Sequence, residues 1–178
     1  PKNADFHFNK GIELAKLGKA QEAILCFDKA IEINPNNEDY HANKGLALFS
    51  LPQFQEAALS FDKAIQINPN KEAHHFSKGI ALFNLDKNEE AILCFDKATQ
   101  LNSNNDNFHF YKGSALVKLD KNEEALPIIE KALQFNHDDE YYLSTAAFIM
   151  HNLGKDDEAK NYYNKALEID PNLKDILS

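Results

Sequence analysis

The feature that most constrains this chain is a nine-residue stretch written twice. EAILCFDKA occupies residues 22–30 and again residues 90–98, a separation of 68. Half of that distance is also a period. FDKAI at 27–31 returns at 61–65, INPN at 33–36 returns at 67–70, and Gly11, Gly45, Gly79 and Gly113 fall 34 apart. Counted from Ala4, the chain divides without insertion or deletion into five units: 4–37, 38–71, 72–105, 106–139 and 140–173. A unit this short cannot bury its apolar faces alone, so it stacks on neighbours that present the same faces, and equal environments select equal residues.

Each unit reads as two helices. In the first, residues 4–18 carry apolar or small residues at three- and four-residue spacing, and Leu17-Gly18 reads as a stop. The second half, residues 19–33, puts Ala23, Phe27, Ala30 and Ile31 on one face, and Asn34-Pro35-Asn36-Asn37 ends it because proline cannot continue a helix. A mid-helix glycine costs about 1 kcal/mol relative to alanine. Four of them at one position, with Ala147 in the fifth unit, require close helix–helix contact. Alanines at 23, 57, 91, 125 and 159, and at 30, 64, 98, 132 and 166, mark a second tight face. Pro127, inside the second helix of the fourth unit, is expected to bend it slightly.

A 34-residue helix–turn–helix of this kind resembles the tetratricopeptide repeat. The first unit supplies His7, Lys10, Gly11, Leu14, Ala23, Phe27, Ala30 and Pro35 at the signature positions. The likeness covers residues 4 to 173. Departures are local: histidine or leucine for the first aromatic (His7, His41, His75, His109, Leu143), lysine for the leucine at 10, 44, 78 and 112, and Ser103 and His137 for the proline. The resemblance implies an all-α fold, a right-handed α-solenoid superhelix forming a single domain over 1–178. Residues 174–178 would start a capping or further helix. It also implies a concave groove lined by the first helices.

Composition narrows the partners. The net charge is −9, there are 20 asparagines and no arginine. Without arginine no side chain makes the bidentate fork that grips carboxylate or phosphate, and the acidic balance argues against nucleic acid. No apolar run of about 20 residues is present to insert in a membrane. The chain opens on proline, which suggests a piece of a longer protein and leaves a removed leader open; the compartment is undetermined, with the cytoplasm favoured. Cys26 and Cys94 hold equivalent places and read as free thiols packed as small hydrophobes.

No catalytic constellation, phosphate loop or zinc-protease motif is present, so the reading is non-enzymatic, with no cofactor and no metal. The histidine ladder suggests metal, but donors must lie about 2 Å from one point and successive repeats sit on the order of 10 Å apart. Packing and hydrogen bonding at the helix interface is the simpler account. The Glu22, Glu56, Glu90, Glu124 and Glu158 ladder reads as charge complementing helix N-termini. The Lys29, Lys63, Lys97, Lys131 and Lys165 ladder reads as a solvated face.

The resemblance places ligand contacts on the first helices, offset from the packing face. Those positions give an apolar stripe of Phe8, Ile12, Leu46, Phe49, Phe76, Ile80, Phe83 and Phe110, flanked by the polar Asn9, Asn43 and Tyr111. The competing account is that the stripe only packs neighbouring first helices. Large rings at 49, 76, 83 and 110 exceed what packing requires, and an exposed apolar patch marks a binding surface. A carboxamide at 9 or 43 can pair with any peptide backbone. Co-chaperone members of the family clamp an acidic C-terminus with lysine, two asparagines, lysine and arginine. The matching positions over the first three units are Phe8, Ile12, Asn43, Ala73 and Ser77, of which only Asn43 fits, and shifting by one or two units gives no match. Carboxylate-clamp binding of chaperone tails is therefore rejected, since the buried charges would be uncompensated. The expectation is a scaffold that binds a protein or peptide through apolar anchors. Its alternatives are self-association through the array ends and service as the targeting arm of a larger enzyme.

Overall fold

The computed structural model describes residues 3–175, with side chains to Leu173. Within them ten α-helices pair into five hairpins: α1 Ala4–Lys16, α2 Ala20–Ile33, α3 Glu38–Phe49, α4 Phe54–Ile67, α5 Glu72–Asn84, α6 Asn88–Leu101, α7 Asp106–Lys118, α8 Asn122–Phe135, α9 Glu140–Asn152 and α10 Asp156–Ile169. A 3-10 turn, Pro171–Asp175, follows. The chain falls into two units, residues 1–101 with three hairpins and residues 102–178 with two. In both, the second helix of one hairpin packs on the first helix of the next: α2 on α3 and α4 on α5, then α8 on α9.

The glycine ladder has its cause in the first unit. A Cβ on Gly11 would lie 2.6 Å from the Phe27 ring, on Gly45 2.8 Å from Phe61, and on Gly79 2.5 Å from Phe95. These phenylalanines are completely or almost completely buried. In the second unit Gly113 faces Ile129 in the same way, at closer range still. Each of the first four hairpins is thus closed by a ring or branched chain seated on bare backbone, and both alanine ladders are buried.

The ends of the helices follow local chemistry. Asn3, Asn37, Asn105 and Asp139 cap the first helices of four hairpins, each accepting backbone N–H bonds through its side chain. Lys71 holds the same extended backbone in the third hairpin and offers no acceptor. Its ammonium reaches Asp39 at 2.9 Å, a half-exposed pair of small worth. Lys71→Asn is expected to raise stability by about 0.5–1 kcal/mol, read as a higher urea midpoint; a lower midpoint would assign Lys71 a larger role than this geometry gives it. The turn after α1 passes through Gly18 at φ 73°, a left-handed conformation that glycine adopts without strain. Helix α8 continues through Pro127, whose ring takes the exposed outer position held by Leu25, Leu59 and Leu93 in the earlier second helices.

The histidines at the first-aromatic position tie each first helix to the loop before it. The ring Nε2 of His41 lies 2.9 Å from the Pro35 carbonyl, that of His75 2.9 Å from Pro69, and that of His109 3.4 Å from Ser103. The carbonyl accepts, so Nε2 carries the proton. The hydrogen-bonding account of the ladder holds at these three sites. The glutamate ladder occupies the first turns of α2, α4, α6, α8 and α10, and the lysine ladder is exposed.

His74 is different. It is buried, and its Nε2 has no partner. Burial, aided by the Lys71 charge, holds its pKa below the ordinary imidazole value, and burial does the same to His109. The unfolded chain therefore takes up these protons first. Their contribution to stability is complete above the unfolded pKa of about 6.5 and is lost as pH falls below it. His74→Phe, which installs the ring that Phe108 provides one unit later, is expected to raise stability at pH 7.5. It also shrinks the loss between pH 7.5 and 5.5. An acid-induced drop equal in variant and wild type would refute this assignment.

Candidate functional site

The first helices of the second and third hairpins bring four of the sequence-designated residues together. Leu46 and Phe49 on α3, and Phe76 and Ile80 on α5, line one concavity of about 100 Å³, with Ser77 at its edge and the buried Phe61 ring behind them. That volume equals about three water molecules in the liquid, enough for one aliphatic side chain. The i, i+3 and i, i+4 spacing within α3 and α5 puts each pair on one side of its helix. Leu46 is 53% exposed, and the other three are partly buried. The Phe49 ring rests edge-on against Phe54 at 5.1 Å, and Phe76 tilts against Phe95 at 5.9 Å. The pocket wall is therefore fixed by rings that also close the hairpins.

The remaining designated residues have other surroundings. Phe8 lies 4.8 Å from the Tyr40 ring and 5.9 Å from Phe27, inside the junction of the first two hairpins. Phe110, in the second unit, stacks on Tyr142 at 4.6 Å and 28°. Both rings do the packing work of the competing account. Ile12 and Phe83 are partly buried, and Asn9 is exposed on α1. Asn43 donates its amide to the Asp39 carbonyl at 2.8 Å, so its oxygen remains as the acceptor. Tyr111 lies edge-on to Phe110 at 5.4 Å.

A larger recess of about 660 Å³ opens between α2, α3 and α4, lined by Ile24, Ile31, Leu48 and Leu59 and by Asp28, Lys44, Glu56, Asp62 and Lys63. Sequence reasoning passed over it. Lys44 pairs with Asp28 at 2.6 Å, and one hairpin later Lys78 pairs with Asp62 at 2.6 Å. The lysine that departs from the repeat signature is thus the cross-hairpin partner of an aspartate 16 residues earlier. That double ladder stands in the sequence and could have been read there. Burial opposes the Lys78 charge, but the Asp62 hydrogen bond and the neighbouring negative charges of Asp62 and Glu90 together outweigh it and raise its pKa. Asp28, Lys44 and Asp62 are answered within the protein by these pairs, so the size of the recess alone does not make it the better ligand site.

Two hydroxyls and one thiol in the repeats are held protonated. Burial, with the Asp5 bond at 2.7 Å, raises the Tyr40 hydroxyl pKa, and burial with Asp106 does the same to Tyr142. Burial raises the Cys94 thiol, which keeps it protonated and unreactive; both cysteines are free. Among the described residues no helix is long and apolar enough to cross a membrane.

Five hairpins in 34-residue register, the first three closed by a ring on glycine and the fourth by Ile129, with an apolar notch on α3 and α5, define a helical-repeat protein of the interaction class. Tetratricopeptide-repeat family models match residues 4–37, 38–71, 76–141 and 140–173. The chain belongs to the tetratricopeptide repeat family. Three of the four matched ranges coincide with the repeat boundaries read from the sequence. Among solved structures, a MamA protein is 19% identical with a TM-score of 0.89, covering 98% of this chain and 96% of that one. MamA residues 41 to the end from Desulfovibrio magneticus RS-1 are 18% identical with a TM-score of 0.90, covering 95% and 96%. YrrB, described as a TPR protein with an unusual peptide-binding site, is 20% identical with a TM-score of 0.84, covering 96% and 88%. At these identities the likeness is one of fold. Compared with curated protein sequences, the chain has no significant match.

Proposed function

We propose that this chain is a non-enzymatic scaffold that holds a partner protein by a short peptide or helix, seating an apolar side chain between α3 and α5. The observation that carries the reading is the notch of Leu46, Phe49, Phe76 and Ile80, whose rim leucine is more than half exposed. An exposed leucine beside a ready-made apolar cavity is a place where a partner's side chain removes more apolar surface from water. Phe83 and Ile12 extend the apolar surface. Asn9, Asn43 and Tyr111 supply polar groups for a peptide backbone. The relatedness in fold to a peptide-binding protein, YrrB, supports the class of ligand. With no arginine in the chain, the ligand is recognised by shape and apolar contact, and its affinity is expected to be nearly independent of salt.

A displayed-peptide selection on the 178-residue chain tests this. Enriched peptides should share one or two large apolar residues and be lost when Phe76→Ala and Phe83→Ala are combined. Enrichment of acidic C-termini instead would overturn the apolar reading.

A further inference from the structure

Packing explains only part of the stretch that is written twice. Of EAILCFDKA at 22–30, Ala23, Ile24, Cys26, Phe27 and Ala30 are buried, and Asp28 pairs with Lys44. Glu22, Leu25 and Lys29 are exposed. The second hairpin keeps these exposed residues as Glu56, Leu59 and Lys63, while it exchanges the buried Ile24 and Cys26 for Ala58 and Ser60. The third hairpin repeats them as Glu90, Leu93 and Lys97. The three leucines are 58%, 57% and 70% exposed. All three hairpins lie in the first unit. In the second unit the leucine position holds Pro127 and Asn161 instead.

Each leucine has a glutamate three residues before it and a lysine four residues after it. Residues seven apart are close to two helical turns apart, so both charges stand on the same edge of the helix, one turn to either side of the leucine. Glu56, Glu90, Lys29 and Lys97 make no ion pair among the described residues. Glu22 meets Lys19 at 3.4 Å and Lys63 meets Gln66 at 3.2 Å, both exposed contacts that water already shares. The aspartates on the opposite edge are engaged, Asp28 by Lys44 and Asp62 by Lys78. Leu59 also rims the recess between α2, α3 and α4, where Ile24, Ile31 and Leu48 continue the apolar surface. The face is thus an apolar row whose flanking charges are of both signs and complement one another when the face is turned over.

We propose that a second copy of this chain docks on this face, the exposed side of α2, α4 and α6, about a two-fold axis along the leucine row with Leu59 at the centre. That axis lays each second helix antiparallel on its counterpart and sets leucine on leucine. On the shared edge, Glu56 of one copy falls beside Lys63 of the other, and the symmetry makes that pair twice. The other two-fold arrangement, with the row reversed, keeps the helices parallel and brings glutamate level with glutamate, so the charges select the first. The interface is isologous and closes at the dimer. It uses none of the notch residues on α3 and α5 and is independent of the groove reading.

Sedimentation velocity over a concentration series reads the association directly. Three leucines and their flanking charges make a small contact of the weak, reversible kind. The wild-type chain should therefore pass from monomer to dimer as concentration rises and form nothing larger. Leu59→Asp places two carboxylates at the centre and should weaken association at least about 30-fold, with unchanged circular dichroism because the position faces solvent. Glu56→Lys and Lys63→Glu should each weaken it roughly 10-fold, since the symmetry turns two attractive pairs repulsive. Mixed together, these two variants regain opposite charges at both pairs and should form a 1:1 dimer. A wild type that stays monomeric at the highest concentration overturns the proposal. So does growth beyond the dimer, a Leu59→Asp chain that dimerises as well as wild type, or a mixture that pairs no better than its components.

Discussion

Phe95→Ala is expected to lower stability by about 3–5 kcal/mol, the range for removing a fully buried phenylalanine. The ring is wholly inaccessible and sits directly on Gly79, where a Cβ would fall 2.5 Å from it. Ala91 and Ala98, which share its buried face, are too short to fill the space it would leave. Leu93→Ala is the matched control. That leucine lies two residues away in the same helix, and it is 70% exposed, so its loss should cost under about 0.5 kcal/mol. Urea unfolding of the two variants reads the difference directly. Similar midpoints would mean that the hairpin is not closed by the ring on the glycine.

The second large effect concerns binding. Leu46→Asp should weaken an apolar peptide ligand at least about 30-fold, since anchors of this kind contribute 2 kcal/mol or more. It places an unanswered carboxylate at the rim of a cavity lined by Phe49, Phe76 and Ile80. Leu25→Asp removes a leucine of similar exposure from the outer face of α2 and should leave affinity unchanged. Both positions are solvent-facing, so the fold is retained in each.

Much of the fold was legible because the repeat makes the sequence its own alignment. Gly11, Gly45, Gly79 and Gly113 required a close contact, and Phe27, Phe61, Phe95 and Ile129 are what closes it. The histidine ladder was legible as packing for the same reason: a feature present in every unit serves the junction that every unit makes. The pairing of Lys44 with Asp28 is not legible in the family signature, which has leucine at the lysine position and no requirement at the aspartate 16 residues earlier. The candidate site was legible only in part. Groove positions alternate with junction positions on the same helices, and spacing alone does not separate them. Phe76 lines a cavity beside Phe95, and Phe8 and Phe110 each have a tyrosine laid across them. That Phe8 and Phe110 stack against the tyrosine one unit later, Tyr40 and Tyr142, is a three-dimensional fact that spacing does not carry.

The most direct test of the groove is a calorimetric titration of one enriched peptide into wild type, Leu46→Asp and Leu25→Asp at low and high salt. Groove binding predicts saturable 1:1 binding with a negative heat-capacity change and little salt dependence. It also predicts loss in Leu46→Asp and full retention in Leu25→Asp. Equal affinity for wild type and Leu46→Asp, or affinity that collapses with salt, would contradict it.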